Sequence, residues 1–320
     1  MIFYVSAAIS ALFAFLIWKH GFRLSLVDIP NVRSSHASPT PRGGGVGIAV
    51  ALLVSGLITV DNYWVVLVVF AMGVLGFLED IFSLSTLLRL IVQLTLSIFM
   101  VYLTLGIPHT PVEILLLIFW CIFLTATANF YNFMDGINGI AGVTGVVGFL
   151  FMAIIAFLGV KAYEVGFLAV ILCGACAGFL PFNFPKGRVF MGDVGSLLLG
   201  FAFAAMVMKM STSPGTFICL SMLLCTFYAD SVVTIYYRLR LGENLTKAHR
   251  RHLYQYLSNE QGIPQWKVTT LYALVQFIAG IVALSLLKGQ LRWQAGYLLV
   301  FFLIFLMAYY GIKKGHHGKK

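Results

Sequence analysis

Charge is what this chain has least of. Asp, Glu, Lys and Arg make up only 10% of its 320 residues, where a soluble domain carries roughly a quarter. Acids are the scarcer sign, 11 Asp and Glu against 21 Lys and Arg, and the formal net charge is +10. Hydrophobic residues reach 60%, with a mean hydropathy of +0.96. So few charges cannot cover a water-facing surface, so the chain reads as a polytopic membrane protein. Long polar intervals are missing too. The longest, 236–267, runs to about 30 residues, which excludes a separate soluble domain and leaves one transmembrane domain over 1–320. The basic excess is explained by topology and by contact with anionic membrane lipids, so no nucleic-acid partner is inferred. The five cysteines (Cys121, Cys173, Cys176, Cys219, Cys225) all lie in apolar runs. The Cys173-x-x-Cys176 pair therefore reads as small-residue packing rather than a zinc or redox motif. Residues 1–18 lack a basic leader region and a small-residue cleavage site, which reads as a retained span.

Long apolar runs are what the chain has in plenty. They cover 2–18, 45–60, 64–78, 87–105, 112–127, 140–158, 165–182, 197–210, 216–235, 268–287 and 293–312. The fold class is all-α, with about eleven transmembrane helices, or ten if one run does not cross. The runs near Trp64 and Leu197 are short, and are expected to tilt or to begin inside the bilayer. The odd-numbered connections carry Lys19, Arg23, Arg33, Arg42, Arg89, Lys186, Arg188, Arg238, Arg240, Lys247, Arg250, Arg251 and Lys267, and the tail 313–320 adds Lys313, Lys314, Lys319 and Lys320. The other face keeps Lys161, Lys209, Lys288 and Arg292. The positive-inside rule then puts the amino terminus outside and the carboxy terminus in the cytoplasm. Basic residues alone decide this, yet the cytoplasmic loops, about 19–44, 79–86, 128–139, 183–196 and 236–267, also collect every polar cluster. One site assembled from five connections is the expectation.

Four polar residues, Asn129, Asn132, Asp135 and Asn138, recur every third position between apolar runs. On a helix they form one slowly drifting stripe. Such groups at a span end read either as a capped, solvated turn or as an anion- or metal-handling site. The first loop holds His36, two prolines and then Arg42-Gly43-Gly44-Gly45, whose backbone N–H groups are expected to approach an anion before a helix start. Adjacent Glu79 and Asp80 end a span, either as an interfacial stop or as a pair relieved by a cation. Asp193, in Phe190-Met-Gly-Asp193-Val-Gly-Ser196, stands at a helix start, as a cap or as a ligand for a hard cation. Phe190 offers a flat face to a base. Asp230 lies inside a span, as a functional acid or as a partner of Arg238 or Arg240. His249-Arg250-Arg251-His252 puts two imidazoles and two guanidiniums together without nearby acids, which reads as an anion clamp or as a basic loop on lipid.

In this order the motifs resemble the polyprenyl-phosphate N-acetylhexosamine-1-phosphate transferase family, which includes the O-antigen and enterobacterial common antigen initiators and phospho-N-acetylmuramoyl-pentapeptide transferase. The resemblance runs from Asp28 to Gln255. Its specific strings are Asn129-x-x-Asn132-x-x-Asp135-Gly136 and Phe190-Met-Gly-Asp193-x-Gly-Ser196. It implies ten or eleven helices in a bacterial inner membrane, a cytoplasmic site, Mg²⁺ (with Mn²⁺ as the other option), a UDP-activated amino sugar and undecaprenyl phosphate. It implies that Asp193 binds the metal, with Asn132 as second ligand. Asp80, Asp135 and the histidine loop become active-site residues, and Asn183 and Phe190 contact uridine. The chain departs from the family's usual two aspartates at Glu79-Asp80, and from the peptidoglycan branch at Asn138. Its His-Arg-Arg-His loop is closer to the O-antigen initiators that use 6-deoxy amino sugars such as N-acetylfucosamine or N-acetylquinovosamine.

The expected reaction transfers N-acetylhexosamine-1-phosphate from a UDP-sugar to undecaprenyl phosphate and releases UMP, initiating a lipid-linked glycan such as O-antigen. The sugar is a 6-deoxy amino sugar or N-acetylglucosamine. The expected catalytic group is Asp80, Glu79, Asp135, His252 and His249, with Asp80 deprotonating or orienting the lipid phosphate. Asn129, Asn138, Asn183, Phe190, Arg250, Arg251, His36 and Arg42 are the expected nucleotide and sugar-phosphate contacts. A homodimer is left open. The alternative is a carrier or flippase of lipid-linked or nucleotide sugars, which needs polar groups along both halves of a path. The short outer connections, such as Asp61-Asn62, are poor in them.

Overall fold

The computed structural model describes residues 1–24, 26–30, 35–36, 38–244 and 249–317, the side chains of 314–317 excepted. Arg33, Lys247, Lys319 and Lys320, counted above among the basic residues, lie outside the described residues, as does the side chain of Lys314. The chain runs α1 (Ile2–His20), β1 (Val27–Asp28), β2 (Thr40–Pro41), α2 (Gly45–Thr59), α3 (Tyr63–Phe82), α4 (Thr86–Leu105) and α5 (Pro111–Phe133). Next come α6 (Ile140–Ile154), extended by a π-helical turn Ile155–Val160, α7 (Tyr163–Asn183) and α8 (Asp193–Met210). Then α9 (Pro214–Ser221) continues through a 3₁₀ turn Met222–Leu224 into α10 (Cys225–Arg240). Last are α11 (Leu253–Gln255), with a π-helical turn Tyr256–Glu260, α12 (Gln265–Leu286) and α13 (Leu291–His317).

Among the described residues, ten segments are long and apolar enough to cross a membrane, and α2 is a shorter apolar helix. All eleven apolar runs are thus helical, and the fold is an all-α polytopic membrane bundle. The short member differs from expectation. The runs near Trp64 and Leu197 extend to Tyr63–Phe82 and Asp193–Met210, because the helices carry Glu79, Asp80 and Asp193 inside their ends. Polar caps mark several starts. Ser85 accepts from the Leu88 amide at 3.3 Å, and Ser213 accepts from the Thr216 amide at 3.1 Å. Thr110, Pro111 and Glu113 form a capping box with proline at the first helical position.

The α8 helix is the axis of the bundle. Every residue from Val194 to Met210 except Lys209 is buried, and α2, α3, α5, α6 and α7 pack around it. The perimeter helices α1, α4 and α13 instead show Leu12, Leu87, Ile91, Leu299 and Met307 outward, the surface expected to meet lipid. All five cysteines are free and buried. Alternation of the helices brings the described residues of 21–44, 83–85, 134–139, 184–192 and 241–264 to one end of the bundle.

Candidate active site

The polar stripe straddles a helix end. Asn129 and Asn132 are on α5, while Asp135 and Asn138 lie in the turn to α6. Asn129 faces the bundle, donating to Gln93 Oε1 at 2.7 Å and to the Thr125 carbonyl at 2.8 Å, and so ties α5 to α4 outside the cavity. Asn132 donates through Nδ2 to Asp193 Oδ1 and to Ser196 Oγ, both at 2.9 Å. Its carboxamide oxygen receives no hydrogen bond from a described residue, and Asn132 lines the cavity. Asn138 is pinned by its backbone. Its N–H donates to Gln265 Oε1 at 3.0 Å and its carbonyl accepts from Thr269 at 2.8 Å.

Asp193 opens α8, but its own carboxylate does not cap the helix. The N-cap is Gly192, with φ of +75° and no side chain. Asp80 supplies the cap from α3: Oδ1 accepts from the Asp193 amide and Oδ2 from the Val194 amide, each at 3.2 Å. Gly76 makes this contact geometrically feasible, since a Cβ there would collide with the backbone at Asp193 and Val194. Arg42 donates to the Asp80 backbone carbonyl and lies 3.8 Å from its Oδ1. Asp80 is therefore buried, engaged at both oxygens and flanked by one guanidinium. Glu79 points elsewhere: Oε2 accepts from the Leu84 amide at 2.7 Å, and Oε1 lies 3.1 Å from Arg89.

A polar cavity of about 250 Å³ opens between these elements. Asp80, Asn132, Asp135 and Asp193 line it together with Asn138, Asn183 and Phe190. Asp28, His36 and Arg42 of the first loop and Gln255 and Gln265 of the late segment complete it. The His36 ring meets Phe190 edge-on at 4.8 Å, and its Nε2 lies 3.8 Å from Asp28. Asn183 is a buried brace, accepting from the Gly139 amide at 2.7 Å and donating to the Val189 carbonyl at 2.9 Å.

The glycine triplet does not form the anion cradle expected of it. The Gly44 and Gly45 amides donate to the Phe190 and Met191 carbonyls at 2.9 and 2.8 Å, and the Phe190 amide donates to Pro41 at 2.8 Å. The close approach that glycine allows is made to protein backbone instead. It docks residues 41–45, at and after β2, against the segment carrying Phe190.

Asp135 is the unsatisfied acid. No described residue donates a hydrogen bond to its carboxylate. Burial, then the negative charges of Asp193 and Asp80, hold its pKa well above the usual carboxylate range. Three carboxylates, Asp80, Asp135 and Asp193, thus crowd the cavity, and the raised pKa of Asp135 reflects that crowding. Among the described residues no three His, Cys, Asp or Glu side chains gather tightly enough to cage a metal alone. One or two carboxylates, a carboxamide oxygen and open space suit a hard divalent cation that completes its shell with phosphate and water.

The histidine loop departs from expectation in two ways. Acids are near it: Arg250 pairs with Glu260 at 2.8 Å, and Arg251 with Glu243. Its two histidines and two arginines also do not line the cavity, although Gln255, further along, does. Asp230 pairs with neither Arg238 nor Arg240. Arg238 binds Glu243 at 3.2 Å, and Asp230 holds the loop. Its Oδ1 lies 3.3 Å from His252 Nδ1 and accepts from the Leu253 amide at 2.9 Å. Its Oδ2 accepts from the Tyr254 amide at 3.3 Å and from the Tyr272 hydroxyl at 2.7 Å. Tyr254 then donates to the Phe133 carbonyl at 2.9 Å, joining the loop to the end of α5. His249 stacks 5.0 Å from His252, and burial with the nearby positive charge of His252 and Arg238 lowers its pKa to about 4.

Sequence reasoning passed over Arg89, Gln255, Gln265 and Asp28 as site residues. Gln265 was findable as a lone amide where the next span begins. Arg89 was counted only for topology, yet its guanidinium lies between Glu79 and Asp193 Oδ2, at 3.1 and 3.9 Å.

Known proteins share this pattern. The model of glycosyl transferase family 4 matches residues 63–211. A probable undecaprenyl-phosphate N-acetylglucosaminyl 1-phosphate transferase of Bacillus subtilis is 25% identical over 311 residues, 91% of this chain and 85% of that protein. A phospho-N-acetylmuramoyl-pentapeptide-transferase of Bacillus cytotoxicus is 30% identical over 233 residues, 63% of this chain and 71% of that protein. Another of that name, from Clostridium botulinum strain Alaska E43, is 35% identical over 206 residues, 54% of this chain and 61% of its own length. Motifs, bundle and relatives agree, and the chain belongs to the glycosyl transferase family 4 group of polyprenyl-phosphate N-acetylhexosamine-1-phosphate transferases.

Proposed function

We propose that this protein transfers N-acetylhexosamine-1-phosphate from a UDP-sugar to undecaprenyl phosphate, releasing UMP, at the cytoplasmic face of a bacterial inner membrane. The observation that carries the reading is the convergence of Asp80, Asn132, Asp135 and Asp193 on one polar cavity at the end of an apolar bundle. In the reaction an oxygen of the lipid phosphate attacks the β-phosphorus, the bond to the α-phosphate oxygen breaks, and UMP leaves. Both partners are anions, so positioning and charge neutralisation supply most of the catalysis.

Each residue's part follows from its contacts. Asp193 and Asp135, with the Asn132 oxygen, are the donors that would hold Mg²⁺. When bound, the ion neutralises diphosphate charge and stabilises the leaving phosphate. Asp80 caps α8 and so sets where Asp193 stands, while Arg42 balances its charge. A lipid phosphate has a second pKa of about 6, so it is largely dianionic at neutral pH and needs no strong base. Phe190 and His36 offer an aromatic corner for the base. Gln255 and Asn138 line the cavity and are the proposed contacts for sugar hydroxyl and acetamido groups, while Gln265 braces the Asn138 amide and the Ser35 carbonyl. The sugar is a 6-deoxy N-acetylhexosamine or N-acetylglucosamine, and the product initiates a lipid-linked glycan such as O-antigen.

The test is UMP release by purified protein given undecaprenyl phosphate and a panel of UDP-amino sugars. Wild type should release UMP with one or a few of them in Mg²⁺, and Asp193→Ala should abolish release. Full turnover by Asp193→Ala would overturn its role. Uptake of labelled UDP-sugar into vesicles without cleavage would overturn the enzyme reading in favour of a carrier.

A further inference from the structure

Arg89 is a cation on the inner face of α4, one turn before the buried Gln93 and two before Ser97. Its neighbours on α4 (Leu87, Leu88, Leu90 and Ile91) are all exposed apolar side chains, and Phe82 beside them is exposed too. Arg89 itself keeps 29% of its side chain accessible, between Glu79 Oε1 at 3.1 Å and Asp193 Oδ2 at 3.9 Å. It does not line the polar cavity. One guanidinium therefore stands between the apolar perimeter and the carboxylate nearest the reaction.

Glu79 explains how Arg89 is held there. Its far oxygen is fixed by the Leu84 amide at 2.7 Å, and the other reaches the guanidinium. A glutamate spans both partners, and an aspartate, one methylene shorter, would have to give up one of them. The departure from the family's usual pair of aspartates thus has a local geometric reason in this chain. With both oxygens taken, Glu79 acts through Arg89 rather than on a reacting atom.

We propose that Arg89, positioned by Glu79, binds the phosphate monoester of the membrane-anchored acceptor at the rim of the bundle. This rests on the phospho-sugar transferase reading above and deepens it. A guanidinium presents paired N–H donors that match phosphate oxygens, and its charge persists at any working pH. An acceptor with a long hydrocarbon tail approaches from the lipid side, where α4 is apolar and open. Its head then meets Arg89 beside Asp193, while the nucleotide occupies the enclosed cavity behind. The two substrates enter from different sides.

The experiment uses the full-length protein in lipid nanodiscs, with Arg89→Gln, Arg89→Lys and Glu79→Asp. Steady-state UMP release is measured while undecaprenyl phosphate and the UDP-sugar are varied separately. Binding of labelled undecaprenyl phosphate is measured in parallel without any donor. Loss of a charge-assisted phosphate contact predicts that Arg89→Gln raises the acceptor KM and weakens lipid-phosphate binding by about 10- to 100-fold, with the donor KM within about twofold. Arg89→Lys should recover part of the loss, and Glu79→Asp should fall between wild type and Arg89→Gln. A merely structural arginine would move both KM values or neither, and either result overturns the proposal. So does unchanged lipid-phosphate binding by folded Arg89→Gln. If wild type bound undecaprenyl phosphate through Arg89 yet released no UMP from any UDP-sugar, this assignment would stand and the transferase reading would fail.

Discussion

Two buried aspartates use one device for different ends. Asp80 on α3 and Asp230 on α10 each give both carboxylate oxygens to the amides that begin another helix: Asp193 and Val194 for the first, Leu253 and Tyr254 for the second. Beyond that they part. Asp230 is enclosed and saturated, with His252, Thr234 and Tyr272 adding side-chain contacts. Asp80 borders the open cavity, with Arg42 as its balancing charge and Asp193 as its neighbour. The same cap thus builds a sealed joint in one place and borders an open polar cavity in the other. What differs is the supply of donors around it.

The sealed joint should break hardest. Asp230→Ala strands two amides, a tyrosine hydroxyl and an imidazole in a dry interior, and should cost about 3–5 kcal/mol. Denaturant or thermal unfolding in detergent would show it, and a change below about 1 kcal/mol would mean that the loop is held by other contacts. Asp80→Asn should separate stability from chemistry. Asparagine keeps one accepting oxygen but turns a donor towards the second amide, so stability should fall by about 1–2 kcal/mol, less than for Asp230→Ala. The shifted α8 start and the altered charge beside Asp193 should still slow UMP release by about 10²-fold. Equal losses of stability in the two variants would erase the contrast.

The smallest effect concerns pH. His249 titrates near 4 in the folded protein, below the ordinary value of 6.5. Between those values the unfolded chain binds the extra proton and the folded chain does not, so acidification favours unfolding. Stability should decline as pH falls from 6.5 towards 4, and His249→Gln should flatten that decline in melting curves taken across the window. An unchanged slope would place the acid sensitivity elsewhere.

The bundle was legible because apolar runs of span length admit few alternatives in a membrane. The gathering of Asn132, Asp135 and Asp193 at one polar cavity was legible as well, since a span does not carry such groups idly. What stayed hidden was partnership across the chain. Asp80 caps amides 113 and 114 positions away, and no local pattern announces a cap that arrives from another helix. Asn129 keeps the period of its neighbours yet turns to Gln93, because a helical stripe drifts and its early member faces a different helix. The Gly44 and Gly45 amides looked free until the backbone of residues 190 and 191 came alongside.

That docked first loop has a practical reach. The shared family segment, 63–211, contains Asp80, Asp135 and Asp193 but neither Arg42 nor Gln255 and Gln265. Chimeras that exchange only this middle portion between relatives would graft carboxylates into a foreign frame. Arg42, Gln255 and Gln265 line the same cavity as those carboxylates, so an exchange that keeps the cavity whole moves the first loop and 249–265 along with the middle portion.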